Sequence, residues 1–176
     1  WKITDTLTKV FADEVPDGQG SIRLSTLHRE TVSCVIAYLG AADWGRYWKV
    51  SVKAPEKIET RLRRIELVPS AYPCHKEQDD NYLRIVPGMY PDLLRDLDTE
   101  GDGADKKYLT KEVPGQWRSL WLDVTVDAEL AGGDYAIVIE TETEDGEKET
   151  LKADLHVVDA SLPPQKLLHT EWFHSD

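Results

Sequence analysis

Trp117 and Trp121 stand four residues apart on one face of an alternating segment, and Asp123 follows in the same register. Indole faces stack on the C–H faces of sugar rings, and a neighbouring carboxylate can hydrogen-bond hydroxyls, so these three residues are a candidate glycan platform. Trp44 and Tyr47, on either side of Gly45, are candidate loop aromatics at a sandwich rim. Trp48 shares the register of Val50 and Val52 and is read as core. For Trp117 and Trp121 the preferred reading is a covered face, with residues 82–113 or a neighbouring domain as the cover.

Catalytic and metal chemistry find less support. Glycoside hydrolysis needs two carboxyl groups, one to protonate the leaving oxygen and one to attack or stabilise. Asp13-Glu14 and Glu144-Asp145 are adjacent pairs, but the chain has 33 acidic residues, and such pairs arise by chance at wet strand ends and turns. No Gly-x-Ser-x-Gly is present, and Gly18, Gly20 and Gly132-Gly133 sit at turns, unlike a phosphate-binding strand-to-helix loop. His28, His75, His156, His169 and His174 contain no His-x-x-x-His spacing. His169 with His174 and Asp176, and Cys74-His75, are read as loop positions before metal ligands. Residues 96–107 invite a calcium reading, but an EF-hand loop begun at Asp96 places Lys107 where a bidentate Glu is needed, and one begun at Asp98 places Leu109 there. No catalytic residue, metal or cofactor is assigned.

The elements that carry these residues alternate with period two, which places successive side chains on opposite faces of a sheet. In residues 31–39, Val32, Cys34, Ile36 and Tyr38 share a face. In residues 46–53 the inward set is Trp48, Val50 and Val52. In residues 117–127, Leu120, Leu122, Val124 and Val126 oppose Trp117, Ser119, Trp121, Asp123 and Thr125. Residues 58–68 change phase between Leu62 and Ile65, which predicts a bulge. Residues 135–143 and 150–158 read as a hairpin turning at Asp145-Gly146. Weaker strands are predicted at 9–13, 22–25 and 82–86, and a short helix over 90–97, with Pro91 in its first turn and Leu93, Leu94 and Leu97 at helical spacing.

About eight or nine short strands with scarcely any helical period give an all-β chain. The architecture expected is a two-sheet antiparallel β-sandwich of Greek-key type, like immunoglobulin or galactose-binding folds, with at most one short helix. A length of 176 residues suits one domain, and 40% apolar content supplies a core. Lys and Arg number 21, so the formal charge is −12, which argues against nucleic acid and anionic lipid. No run approaches the roughly 20 apolar residues that span a bilayer, so no membrane insertion is expected. Two cysteines are too few for a disulfide scaffold, and Cys34 is read as a core thiol. Because the chain opens at Trp1 without a signal-like segment, it reads as a piece of something longer.

The order of motifs resembles a known family. Leu27-His28-Arg29-Glu30-Thr31-Val32-Ser33-Cys34-Val35 looks like an Ala-Arg-x-Glu-x-x-Ser-x-Gln strand, with Leu27-His28 in place of the small residue and Val35 in place of Gln. Pro87-Gly88-Met89-Tyr90-Pro91-Asp92-Leu93-Leu94 looks like a Pro-Gly-x-Tyr-Pro-Asp-x-Leu loop. Arg118-Ser119-Leu120-Trp121 resembles an Arg-Ser-Leu-Trp strand, and Ala131-Gly132-Gly133-Asp134-Tyr135 an Ala-Gly-x-Tyr hairpin start. Leu162-Pro163-Pro164, followed by residues 169–176, resembles an exit into a second domain. Together these resemble the N-terminal β-sandwich domain of the DUF4091 family, relatives of glycoside hydrolase family 123.

The resemblance implies a β-sandwich over residues 1–160 and a linker over 161–176 into a TIM-like barrel. In the family that barrel carries an adjacent Asp-Glu pair for substrate-assisted hydrolysis of N-acetylhexosaminides. Trp172, Phe173, His174 and Asp176 are then expected at the boundary between the domains. The function implied is a non-catalytic accessory domain, partnered by the C-terminal catalytic domain of the same chain and shaping one edge of its cleft. The alternative is a carbohydrate-binding module with a glycan as partner, and an adhesion-like structural sandwich ranks third. A polysaccharide-degrading parent implies export to the bacterial surface or beyond.

Overall fold

A computed structural model describes residues 1–40, 46–74, 82–143, 145–164, 166, 167 and 170. Among them the alternating segments form β1 (Lys2–Thr4), β2 (Ser21–His28), β3 (Thr31–Leu39), β4 (Tyr47–Lys53), β5 (Ile58–Ser70), β6 (Gly88–Asp96), β7 (Asp98–Glu100), β8 (Lys107–Lys111), β9 (Trp117–Val126), β10 (Gly133–Thr143) and β11 (Lys148–Ser161). A single 3-10 turn, Gly103–Asp105, is the only helical element among the described residues.

The strands make two facing sheets. One has the order β1-β3-β9-β5-β6, the other β2-β11-β10-β4-β8-β7. The chain changes sheet at every step from β1 to β5 and again between β6 and β7, β8 and β9, and β9 and β10, so sequence neighbours are often not spatial neighbours, as in a Greek key. Pairing is antiparallel except between β2 and β11, which run parallel. The all-β sandwich expected from the sequence is therefore the fold observed, with that one parallel pair.

Inward positions pack as the alternation requires. Cys34, Ile36, Tyr38, Leu120, Leu122 and Val124 are fully buried and share a core with Val50, Ile137, Ile139 and Leu155 from the opposite sheet. Each such side chain contributes about 1.5–3 kcal/mol on leaving water. Strand β3 departs from the half-buried expectation, because Val35 and Ala37 on its other face are buried too, in a small second cluster with Val10. Gly40 follows β3 where the backbone closes on residues 113–116: its amide donates to the Gln116 carbonyl at 3.0 Å, and a Cβ would collide with the Val113 carbonyl.

Three expectations need correction. Residues 90–97 form most of β6 and its exit, not a helix. Leu93 and Leu97 are four apart, a spacing that fits one face of a strand as well as a helical turn, and pairing with β5 decides between the two. Residues 9–13 and 82–86 are irregular and join neither ladder; Val10 packs on the outer face of the five-stranded sheet. The bulge predicted in β5 belongs to its partner. Glu66 faces Leu93 and Leu67 faces Pro91, so Asp92 of β6 is the extra residue. In β5, Leu62 points into the main core while Ile65 reaches the outer cluster, so the change of phase reflects two apolar faces.

Candidate functional site

The outer face of the five-stranded sheet gathers the tryptophan strip. In β9, Trp117 and Trp121 are half-buried and pack with Ile65 against Val10, Val35 and Ala37. Strand register brings Ser33 of β3 and, by a diagonal, Arg63 of β5 to Asp123. The Ser33 hydroxyl and the Trp121 indole N–H both donate to Asp123 Oδ1, at 2.7 and 2.6 Å, and Arg63 Nη2 lies 2.5 Å from Oδ2. Burial works to raise the Asp123 carboxyl, but the hydrogen bonds from Ser33, Trp121 and Arg63 outweigh it and hold the group below its ordinary value. The structure thus brings Trp121 and Asp123 together, with Asp123 held by three internal donors. Trp117 lies apart, with Lys2 Nζ 5.5 Å from its ring centroid and its backbone amide bonded to the Ala12 carbonyl at 2.9 Å.

A neighbouring constellation was not singled out by the sequence. Residues 5–17 and 82–91 meet where the Arg84 guanidinium lies 3.9 Å from the Phe11 ring centroid and pairs with both Asp13 and Glu14. Hydrogen bonding to Arg84 lowers the Asp13 carboxyl from its ordinary value. Phe11 also meets Tyr90 edge-on at 5.7 Å, and the Tyr90 hydroxyl donates to the Val86 carbonyl at 2.5 Å. Behind this clamp is a cavity of about 540 Å³, lined by Lys9, Phe11, Tyr82, Tyr90, Pro91 and Asp92 among others. Its walls come from three separate stretches, residues 9–11, 68–73 and 82–92, so no spacing motif could reveal it. The one local signal is the Tyr90-Pro91-Asp92 run inside the family-like motif.

Other candidates disperse. Tyr47 opens β4, half-buried, with Lys111 Nζ 5.1 Å from its ring centroid. Trp44, Trp172, Phe173, His174 and Asp176 lie outside the described residues, as do His75, His169 and Glu144. Asp13 and Glu14 are ion-paired to Arg84, and Asp145 lies 3.4 Å from Arg46. His156 Nδ1 is 2.8 Å from Asp134 on the exposed six-stranded face, while His28 is buried at the end of β2. Among the described residues no three His, Cys, Asp or Glu side chains converge as metal ligands. Burial, with a smaller push from Asp123, raises the Cys34 thiol to about 12.

No protein-family profile matches the chain, and no curated protein does. Solved structures do match. A family 123 glycoside hydrolase from Clostridium perfringens, described for glycolipid glycan hydrolysis, superposes with a TM-score of 0.61 at 10% identity, over 92% of this chain and 28% of that one. The C-terminal domain of the Streptococcus agalactiae AgI/II polypeptide BspA superposes at 0.42 with 14% identity, over 85% of this chain and 49% of that one. The major pilin subunit of Bacillus cereus superposes at 0.41 with 8% identity, over 89% and 40%. At these identities the likeness is one of fold. The chain spans little more than a quarter of the glycoside hydrolase it matches.

Proposed function

We propose that this chain is a non-catalytic accessory β-sandwich of a larger glycoside hydrolase, packed against the catalytic barrel of the same polypeptide. The observation that carries this reading is the extent of the match: nearly the whole chain superposes on a minor part of a family 123 enzyme. The family-like motifs in their order support the finer assignment to the DUF4091 relatives of family 123, and with it an N-acetylhexosaminide substrate for the parent. Surface chemistry supports packing. Among the described residues, most of the exposed large apolar side chains fall on residues 7–15 and 72–89, including Leu7, Val15, Tyr72, Leu83, Ile85 and Val86. Concentrations of this kind mark contact surfaces.

The test compares this chain with a polypeptide extended at its C-terminus, using aryl N-acetylhexosaminides. Turnover is expected only from the extended protein, and removing residues 1–160 from it is expected to lower its melting temperature. Hydrolysis by the 176-residue chain itself, abolished by a point substitution, would overturn the proposal. The rival reading, a carbohydrate-binding module working through Trp117, Trp121 and Asp123, draws on the half-buried indoles. Loss of glycan binding in Trp121→Ala, with folding intact, would favour it.

A further inference from the structure

The cavity lined by residues 9–11, 68–73 and 82–92 has the size and lining of a ligand site and lies outside the main core cluster. At about 540 Å³ it falls within the 300–1,000 Å³ typical of small-molecule pockets. Its walls are held before any ligand arrives, since Arg84 is clamped on Phe11, Asp13 and Glu14, and Tyr90 is fixed through its hydroxyl. Pre-set walls lower the ordering cost of binding.

The lining holds two exposed charged groups of opposite sign. Lys9 and Asp92 are exposed, and among the described residues neither side chain has a hydrogen-bond or ion-pair partner. Asp92 is also the bulged residue of β6, and bulges re-aim side chains beside functional sites. Tyr82, about half exposed, adds an aromatic face and a phenol.

We propose that this cavity binds one neutral pyranose ring of a glycan. The Asp92 carboxylate can accept two hydroxyl protons, the Lys9 ammonium can donate to a ring or hydroxyl oxygen, and the Tyr82 and Pro91 rings offer apolar surface to the C–H face. An anion meets Asp92, and the Arg84 guanidinium in the lining is already paired with Asp13 and Glu14, in a chain of net charge −12. A wholly apolar ligand strips water from Asp92 and Lys9 without replacing it. A cation satisfies Asp92 but leaves Lys9 opposed. Every group in the site belongs to this chain, and its lining overlaps the apolar surface of residues 7–15 and 72–89, so the site is read on this chain alone, with nothing packed over that surface.

The test titrates the ¹⁵N-labelled chain with methyl β-glucopyranoside, methyl β-galactopyranoside and methyl N-acetyl-β-glucosaminide, with choline and inorganic phosphate alongside. At least one glycoside is expected to give saturable shift changes centred on residues 9–11, 69–73 and 82–92, and choline and phosphate none. Asp92→Asn and Tyr82→Ala are each expected to weaken binding about tenfold, the scale of a lost charge-assisted hydrogen bond or ring contact. Lys53→Ala, on the opposite sheet, is expected to change nothing. If Tyr82→Ala proves unfolded, Lys9→Met on the exposed rim decides by the same loss. No saturable change with any glycoside, changes centred on Trp117 and Trp121, choline acting on the same residues, or unaltered affinity in Asp92→Asn each overturn the proposal. The hydrolysis assay of the extended protein is separate, so this site and the accessory role can fail independently.

Discussion

Asp123 shows how one side chain fixes a face of the sheet. Its carboxylate accepts from strands on both sides and from Trp121 two positions earlier, so it ties β3, β9 and β5 together outside the core. A carboxyl held low in the folded state and ordinary in the unfolded chain adds stability above its unfolded value of about 3.8, and that contribution disappears as pH falls through the lowered folded value. Asp123→Asn is therefore expected to lose about 1–3 kcal/mol at neutral pH. The loss should shrink in acid as the native carboxylate takes up its proton, which urea unfolding at neutral and acid pH measures directly. Cys34 makes the opposite case: a buried thiol raised to about 12 is scarcely ionised at neutral pH. A maleimide is expected to label the half-buried Cys74 in the native protein, and Cys34 only after denaturant is added, as mass spectrometry of the labelled peptides will read. Local alternation made the shared face of Trp121 and Asp123 legible. Their partners Ser33 and Arg63 were not, because they lie 90 and 60 residues from Asp123 and depend on strand register.

Elements differ in how firmly their own sequence commits them. Strand β9 alternates without interruption between two sheet neighbours, so its pattern could be read directly. Strand β6 lies at the sheet edge, where Pro91 and the Asp92 bulge blunt it against further pairing. Its leucines suit a helix equally well until β5 is in place. Residues 5–17 are held from outside by Arg84, so Arg84→Ala is expected to speed amide exchange in that segment while the exchange of β9 stays unchanged. At the end of β3, Gly40→Ala is expected to cost about 1–3 kcal/mol, because the new methyl meets backbone and no flexible side chain can yield. Thermal melting followed by circular dichroism will show it. The turn at Asp145-Gly146 was legible because its chemistry is local: Gly146 adopts φ 84° and its amide bonds to the Thr143 carbonyl at 3.0 Å.

At the scale of the molecule, the pairings that close the sheets join distant parts of the chain. Thr31 and Thr125 share a hydrogen bond across a separation of 94 residues, and β2 lies beside β11, the last strand. Such topology makes folding slow: refolding from urea is expected on a time scale of about milliseconds to seconds, measurable by tryptophan fluorescence in a stopped-flow instrument. The sandwich class was legible because the long strands β3, β4, β9, β10 and β11 report their faces locally, whereas sheet order was not, since it depends on which distant strands meet. The parallel pairing of β2 with β11 has a mechanical meaning. Pull on the end of β11, where the Leu162 amide is bonded to the His28 carbonyl, against the start of β2, and the rungs between them are loaded side by side in shear instead of peeling one at a time. A pull applied beyond Ser161 would thus be shared across this ladder.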